Sequence, residues 1–245
     1  MGYDVYAGPL DRIGGMAPGE KGNLVNTVNP HAYCVAKRDA AFRDALRASS
    51  VLLPDGVGIV WAALLLKGKR IRKTAGADLH QFMLRKLERE GGTCFYLGAS
   101  QKTLDLIKAK LEKEYPNIKA GFYSPPYKPE FSEEDNENIF KSIHDFTTSP
   151  PHHLTTLFVG MTAPKQEKWA CLHRDRLDAK YICSIGAVFD FYAGTVKRSS
   201  PFWIGIGLEW LPRLLREPKR LYKRVFFSGP EFLWDLFLYF VRIKR

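Results

Sequence analysis

Asp55 stands between Pro54 and Gly56, where the apolar run Val51-Leu52-Leu53 gives way to a helix-like stretch. In an open α/β sheet, ligands bind beyond the carboxyl ends of the strands, so a carboxylate at this junction projects into a binding crevice. The other common role at such a junction is a helix N-cap; local sequence leaves both open. Thr27 and Asn29 end a neighbouring strand over residues 24–28. Their side chains can hydrogen-bond the hydroxyls of a ligand, or Asn29 can close an Asx turn before Pro30. Gln166 opens a helix after the turn Thr162-Ala163-Pro164. Free backbone N–H groups and the helix dipole make that position suited to anions, although a solvated first turn is the plain alternative. Asp190, after a further buried run, is a candidate of the same kind. Arg198, Arg213, Arg216 and Arg220 offer guanidinium forks that match phosphate oxygens. Their alternative is to solvate helix faces or to meet lipid headgroups.

These residues need a frame that gathers strand ends. Apolar runs at 51–53, 93–97, 118–122, 155–159 and 181–185 alternate with helical patterns at 31–48, 57–66, 77–90, 101–114, 132–146 and 165–177. Such alternation predicts an α/β fold: a Rossmann-like, largely parallel sheet flanked by helices. Asp78 lies in the first turn of the 77–90 helix, where a negative charge suits the dipole. After Gly194 the chain becomes basic, aromatic and proline-punctuated. The expected organisation is therefore an α/β core over 1–194 and a basic amphipathic helical appendage over 195–245, with helices at 208–216, 218–227 and 231–245.

Composition narrows the function classes. The chain has 245 residues, 45% hydrophobic and 26% charged, as folded proteins do. Residues 197–245 hold eleven Lys/Arg against four Asp/Glu, +7 of the net +11. A field of that sign attracts nucleic acid, anionic lipid or diphosphates. No recognised nucleic-acid module accompanies it, so no nucleic-acid partner is expected. Cys34, Cys94, Cys171 and Cys183 form no CxxC pair, and reduced thiols are expected. The histidines have no partner at metal spacing, there is no P-loop, and Gly205-x-Gly207 follows no strand. No secretory leader is visible. The apolar stretch from Phe232 to Ile243 is broken by Asp235 and Arg242 and is shorter than the ~20 residues of a membrane span.

A longer series of motifs now stands out. In order, these are Thr27-Val28-Asn29-Pro30, Pro54-Asp55-Gly56-Val57-Gly58, Pro164-Lys165-Gln166-Glu167, Phe189-Asp190, Gly207-Leu208-Glu209-Trp210-Leu211-Pro212-Arg213-Leu214 and Glu217-Pro218-Lys219-Arg220. The series resembles the WecG/TagA/CpsF family, glycosyltransferase family 26, from about Asn26 to about Arg224. The resemblance implies an inverting transferase that moves a sugar from a UDP-sugar, most commonly of N-acetylmannosamine type, to a polyprenyl-diphosphate-linked sugar in bacterial surface polysaccharide or teichoic acid synthesis. It implies that Asp55 is the base that deprotonates the acceptor hydroxyl, and that Thr27, Asn29, Gln166 and Asp190 contact substrate. Lys73 falls where relatives carry arginine, before the Gly-x-Asp matched by Gly76-Ala77-Asp78. No Asp-x-Asp pair occurs to hold a metal on a diphosphate, so no metal or other cofactor is expected. Lys73, Arg198, Arg213, Arg216 and Arg220 are then the expected cations. A lipid-linked acceptor implies a cytoplasmic protein peripheral on the inner membrane surface, and self-association is a further expectation. The alternative function is a non-catalytic membrane-surface scaffold or a UDP-sugar-binding protein, with Asp55 only a cap.

Overall fold

The computed structural model describes residues 1–13, 21–148, 153–205 and 207–243, with the side chains of Pro201, Arg220 and Ile243 outside the described set. Strands β1 (Asn23–Val28), β2 (Val51–Pro54), β3 (Thr93–Gly98), β4 (Lys119–Tyr123), β5 (Leu154–Gly160) and β6 (Ala179–Ser184) form one sheet in the order β2-β1-β6-β5-β3-β4. Every pairing is parallel, so the fold class expected from the sequence is the one observed. A parallel sheet must bury both faces, which is why these strands read as near-continuous apolar runs.

Register decides which residues share a face. Val25, Cys183, Phe158 and Tyr96 lie side by side across β1, β6, β5 and β3. They pack with Leu79, Met83 and Leu87 of α4 (Gly76–Glu90) and with Leu104 and Ile107 of α5 (Gln101–Glu114). On the opposite face Leu24, Ile182, Leu157 and Phe95 meet Ile139 and Ile143 of α6 (Glu133–Thr148) and Trp169 and Ala170 of α7 (Lys165–His173). A third cluster covers the β1–β2 edge. It joins Val28 and Leu52 to α1 (Pro30–Arg38), α2 (Ala40–Arg47) and α3 (Val57–Lys67). Cys34, Cys94 and Cys183 are buried and Cys171 is half-buried, all unpaired.

Several elements differ from the sequence expectation. The single helix expected over 31–48 is two, because Asp39 adopts an extended backbone (φ −116, ψ 101) and its carboxylate accepts the Phe42 N–H at 2.9 Å. A short polar side chain that bonds the backbone locally competes with helix continuation. The helix expected to reach Leu177 ends at His173, followed by a 3-10 turn over Arg174–Arg176. Two short helices were not anticipated, α8 (Val188–Ala193) and α9 (Pro201–Gly205).

The C-terminal stretch forms α10 (Trp210–Arg216), α11 (Pro218–Lys223), a π-turn over Arg224–Ser228 and α12 (Gly229–Ile243). The last helix is not a free arm. Phe232 and Leu236 are buried with Tyr33, Ile59 and Ala62. Around that apolar plug Lys37 pairs with Asp235 at 2.6 Å and Arg38 with Glu231 at 2.8 Å, while the Tyr33 hydroxyl donates to Asp235 at 3.0 Å. No described helix is long and apolar enough to cross a membrane.

Candidate active site

The carboxyl ends of β1 and β2 meet at Asp55. Its backbone N–H donates to the Val28 carbonyl at 2.9 Å, extending the β1–β2 pairing one residue past the strand. Gly56 then turns the chain at φ +93, a left-handed conformation that favours glycine, and it is Gly56 that occupies the N-cap position of α3, with no side-chain cap bond. The capping role open to Asp55 from sequence is therefore not the one it plays. Asn29 does cap: its Oδ1 accepts the Ala32 N–H at 2.9 Å at the start of α1. That leaves its amide to donate to the Asp55 carboxylate. Of the two roles the sequence allowed Asn29, the local backbone cap is the one observed. Thr27 lies in register with Leu53, half-buried near the end of β1.

Asp55 is half-buried by surface but closely surrounded by protein. Its pKa is raised to about 6, first by burial and next by the charge of Glu209, against the pull of Lys73, Asn29 and Arg213. Desolvation disfavours the charged form, and a like charge nearby adds to that. A carboxylate poised near neutrality can take a proton from a hydroxyl at physiological pH.

The cations come from two separate parts of the chain. The loop after α3 returns to the end of β2, where the Thr74 N–H donates to the Pro54 carbonyl at 2.8 Å. This ties the segment that carries Lys73 to the carboxyl end of β2. The Lys73 ammonium meets Glu209 at 2.8 Å. The same carboxylate faces the Arg198 Nε at 3.6 Å, while Arg198 Nη2 reaches Asp78 at 3.1 Å. Asp78 also accepts the Ala75 N–H at 3.0 Å, closing the first turn of α4. Arg213 stacks its guanidinium over the Phe191 ring at 5.2 Å, and its Nε is buried without a hydrogen-bond partner. Its charge is felt at Asp55.

Gln166 is buried at the start of α7, with its Nε2 donating to Glu167 Oε1 at 2.8 Å and its Oε1 unpartnered. Gly186, in the loop after β6 at φ +51, lies against it: a Cβ there would come within 3.4 Å of Gln166 Oε1. Burial raises the Glu167 pKa to about 7. The solvated first turn that local sequence allowed for this helix is thus not the one observed. Asp190 lies in α8, where the Thr195 hydroxyl donates to its Oδ1 at 3.3 Å. Arg216 is turned away, with its Nη1 donating to the Lys197 carbonyl at 3.2 Å. The Arg220 side chain lies outside the described residues. Among the described residues, no three His, Cys, Asp or Glu side chains gather as a metal site would require.

Sequence reasoning missed Glu209, which is more central than several residues it chose. Its signal was there: a lone acidic residue between Leu208 and Trp210 in a basic segment. Its partner Lys73 is 136 positions away, however.

The family model described as "Glycosyl transferase WecG/TagA/CpsF family" matches residues 5–245. The N-acetylglucosaminyldiphosphoundecaprenol N-acetyl-beta-D-mannosaminyltransferase of Bacillus subtilis (strain 168) is 30% identical over 199 residues, covering 81% of this chain and 73% of that protein. The protein of the same name from Staphylococcus aureus (strain MRSA252) is 27% identical over 198 residues, covering 81% and 74%. A match that runs from the first strand through the C-terminal helices shows that the chain belongs to the WecG/TagA/CpsF family of glycosyltransferases.

Proposed function

We propose that this glycosyltransferase moves N-acetylmannosamine from its UDP-activated form to a polyprenyl-diphosphate-linked N-acetylglucosamine, in one displacement that inverts the anomeric centre and uses no metal. The observation that carries the reading is Asp55: a carboxylate at the strand ends, free of capping duty, held by Asn29 and flanked by Lys73 and Arg213. In the reaction Asp55 takes the proton of the acceptor hydroxyl as that oxygen bonds to the anomeric carbon. The bond from that carbon to the β-phosphate oxygen breaks, and the electron pair leaves with UDP. Arg213, Lys73 and Arg198 are the proposed groups that stabilise the charge that appears on the diphosphate. General-base assistance of this kind is worth about 10²–10⁴-fold in rate. Thr27 and Gln166 are proposed substrate contacts. For Gln166 the support is its buried, unpartnered Oε1, which can accept a hydrogen bond from a sugar hydroxyl or amide. Asp190 and Arg216 have local partners that leave them a lesser role.

The segment 195–245 is proposed as the part that meets the cytoplasmic membrane surface. What supports this is the exposed aromatic surface of α11 and α12 beside a run of lysines and arginines. The decisive assay is UDP release from a panel of UDP-sugars with a short-chain lipid-diphosphate N-acetylglucosamine acceptor, in EDTA, for wild type and Asp55→Asn. Acceptor-dependent release that survives EDTA and disappears in the variant is expected. If no donor is turned over and UDP does not bind, the reading fails.

A further inference from the structure

Two cations, Lys73 and Arg198, converge on one carboxylate, that of Glu209, at 2.8 and 3.6 Å. All three are partly buried, so their charges interact more strongly than fully exposed ions do. Lys73 comes from the loop between α3 and α4, whereas Glu209 comes from the start of the C-terminal helices. We propose that Glu209 is a positioning residue for the donor: its carboxylate holds Lys73 and Arg198 in the place of the diphosphate, and the incoming diphosphate exchanges into it. This rests on the reading that the donor is a nucleoside-diphosphate sugar.

Three features favour exchange over a permanent clamp. First, a carboxylate and a diphosphate offer cations the same kind of paired oxygens, so the diphosphate can take over the contacts that the carboxylate gives up. Second, the Glu209 backbone is anchored apart from its side chain, because the Ser199 hydroxyl donates to the Glu209 carbonyl at 2.8 Å. The carboxylate can swing away while the segment stays in place. Third, Arg213 begins one turn later with a buried Nε that has no partner. A buried donor left unmade is costly, and a phosphate oxygen beside the Glu209 position would satisfy it. Arg198 keeps its second contact, to Asp78 at 3.1 Å, throughout the exchange.

The test uses full-length protein and inorganic pyrophosphate as the probe, with UDP in parallel, by calorimetry at fixed ionic strength. Glu209→Gln keeps the shape and removes the competing charge. The expected result is pyrophosphate and UDP binding roughly fivefold tighter than wild type, the size of one partly exposed charge pair. The gain should vanish when Lys73→Met is added, because the released cation is then missing. A clamp predicts the reverse: Glu209→Gln would bind no better or worse, at an unchanged melting temperature, and that result overturns the exchange. Absence of pyrophosphate binding in both proteins also overturns it. Should Glu209→Gln not fold, Glu209→Asp, whose shorter side chain withdraws from Lys73, must tighten binding in the same direction. Tighter pyrophosphate binding without turnover of any UDP-sugar would sink the donor assignment and leave the exchange standing.

Discussion

The Asp55 carboxyl sits between opposing neighbours, and its ionisation acts on both rate and stability. Its pKa is raised from 3.8 to about 6 by burial and Glu209, despite Lys73, Asn29 and Arg213. In the unfolded chain the group ionises near 3.8, so the folded protein holds the proton more tightly between those two values. Stability is therefore lost as pH rises through that window, and the full cost applies above about 6. After a discount for its half-exposed surface, that cost is about 1–3 kcal/mol. Asp55→Asn should then melt a few degrees higher at pH 8 and show no such gain at pH 4, while turnover is abolished. Matched melts at the two pH values check this; a variant that melts lower at pH 8 would mean that the carboxylate is a structural partner of Lys73 and Arg213. In the wild type, kcat/KM should fall as pH drops through about 6, since only the ionised base accepts the acceptor proton. Asp55 and Asn29 were legible in the sequence because Pro54, Gly56 and Pro30 punctuate the chain beside them, and a turn residue carries its geometry locally. Glu209 was not, because nothing local announces an ion pair to a lysine 136 positions away. Glu167 was hidden for a different reason: in sequence the first turn of α7 reads as solvated, and only the packed helix shows it buried.

At the scale of elements, the sheet and most helices follow from period and length, since runs of three to five mostly apolar residues between helical patterns have few other solutions. What the pattern misjudged were ends and breaks. Asp39 splits one expected helix by bonding Phe42 N–H, and Arg224–Ser228 joins α11 to α12 through a π-turn. A further surprise is the anchorage of α12. Its pattern reads as amphipathic, but which face is buried depends on a partner surface made by α1 and α3. Phe232 fills it, 1% exposed, and stands close enough to Gly58 that a Cβ there would lie 3.3 Å from its ring. Phe232→Ala should cost about 3–5 kcal/mol through the cavity it leaves, seen as a lower denaturant midpoint. Trp234, two positions on and 62% exposed, should change stability by no more than about 0.5 kcal/mol when replaced by Ser. Equal effects of the two substitutions would show that α12 is not seated through Phe232.

At the scale of the whole molecule, several exposed apolar side chains sit on α3 and α12, which pack against each other. Asp55 lies two residues before α3, which exposes Trp61, Leu64 and Leu65, and α12 beside it exposes Trp234 and Phe237. Apolar side chains exposed on adjoining packed helices mark a surface that something covers. The neighbouring charge is strongly positive: Lys67 ends α3, Lys69, Arg70, Arg72 and Lys73 follow it, and the basic stretch from Arg213 to Arg224 precedes α12. Aromatic side chains beside lysines and arginines are the composition that lies in a lipid interface, where each basic residue contributes about 1 kcal/mol toward an anionic surface. Two forces then act together and respond differently to salt. The charge contribution is screened within about 10 Å at 0.1 M and 3 Å at 1 M, whereas the apolar contribution is not. In flotation assays, wild type should bind vesicles rich in anionic lipid, lose most but not all binding at high salt, and bind neutral vesicles weakly. Trp234→Ser with Phe237→Ser should remove the salt-resistant fraction and leave the melting temperature unchanged, because both side chains are exposed in the folded protein. Retention of that fraction would move the contact elsewhere, with Trp61 on α3 the next residue to replace. A rise in monomer solubility without any change in vesicle binding would instead assign the face to a second copy of the chain.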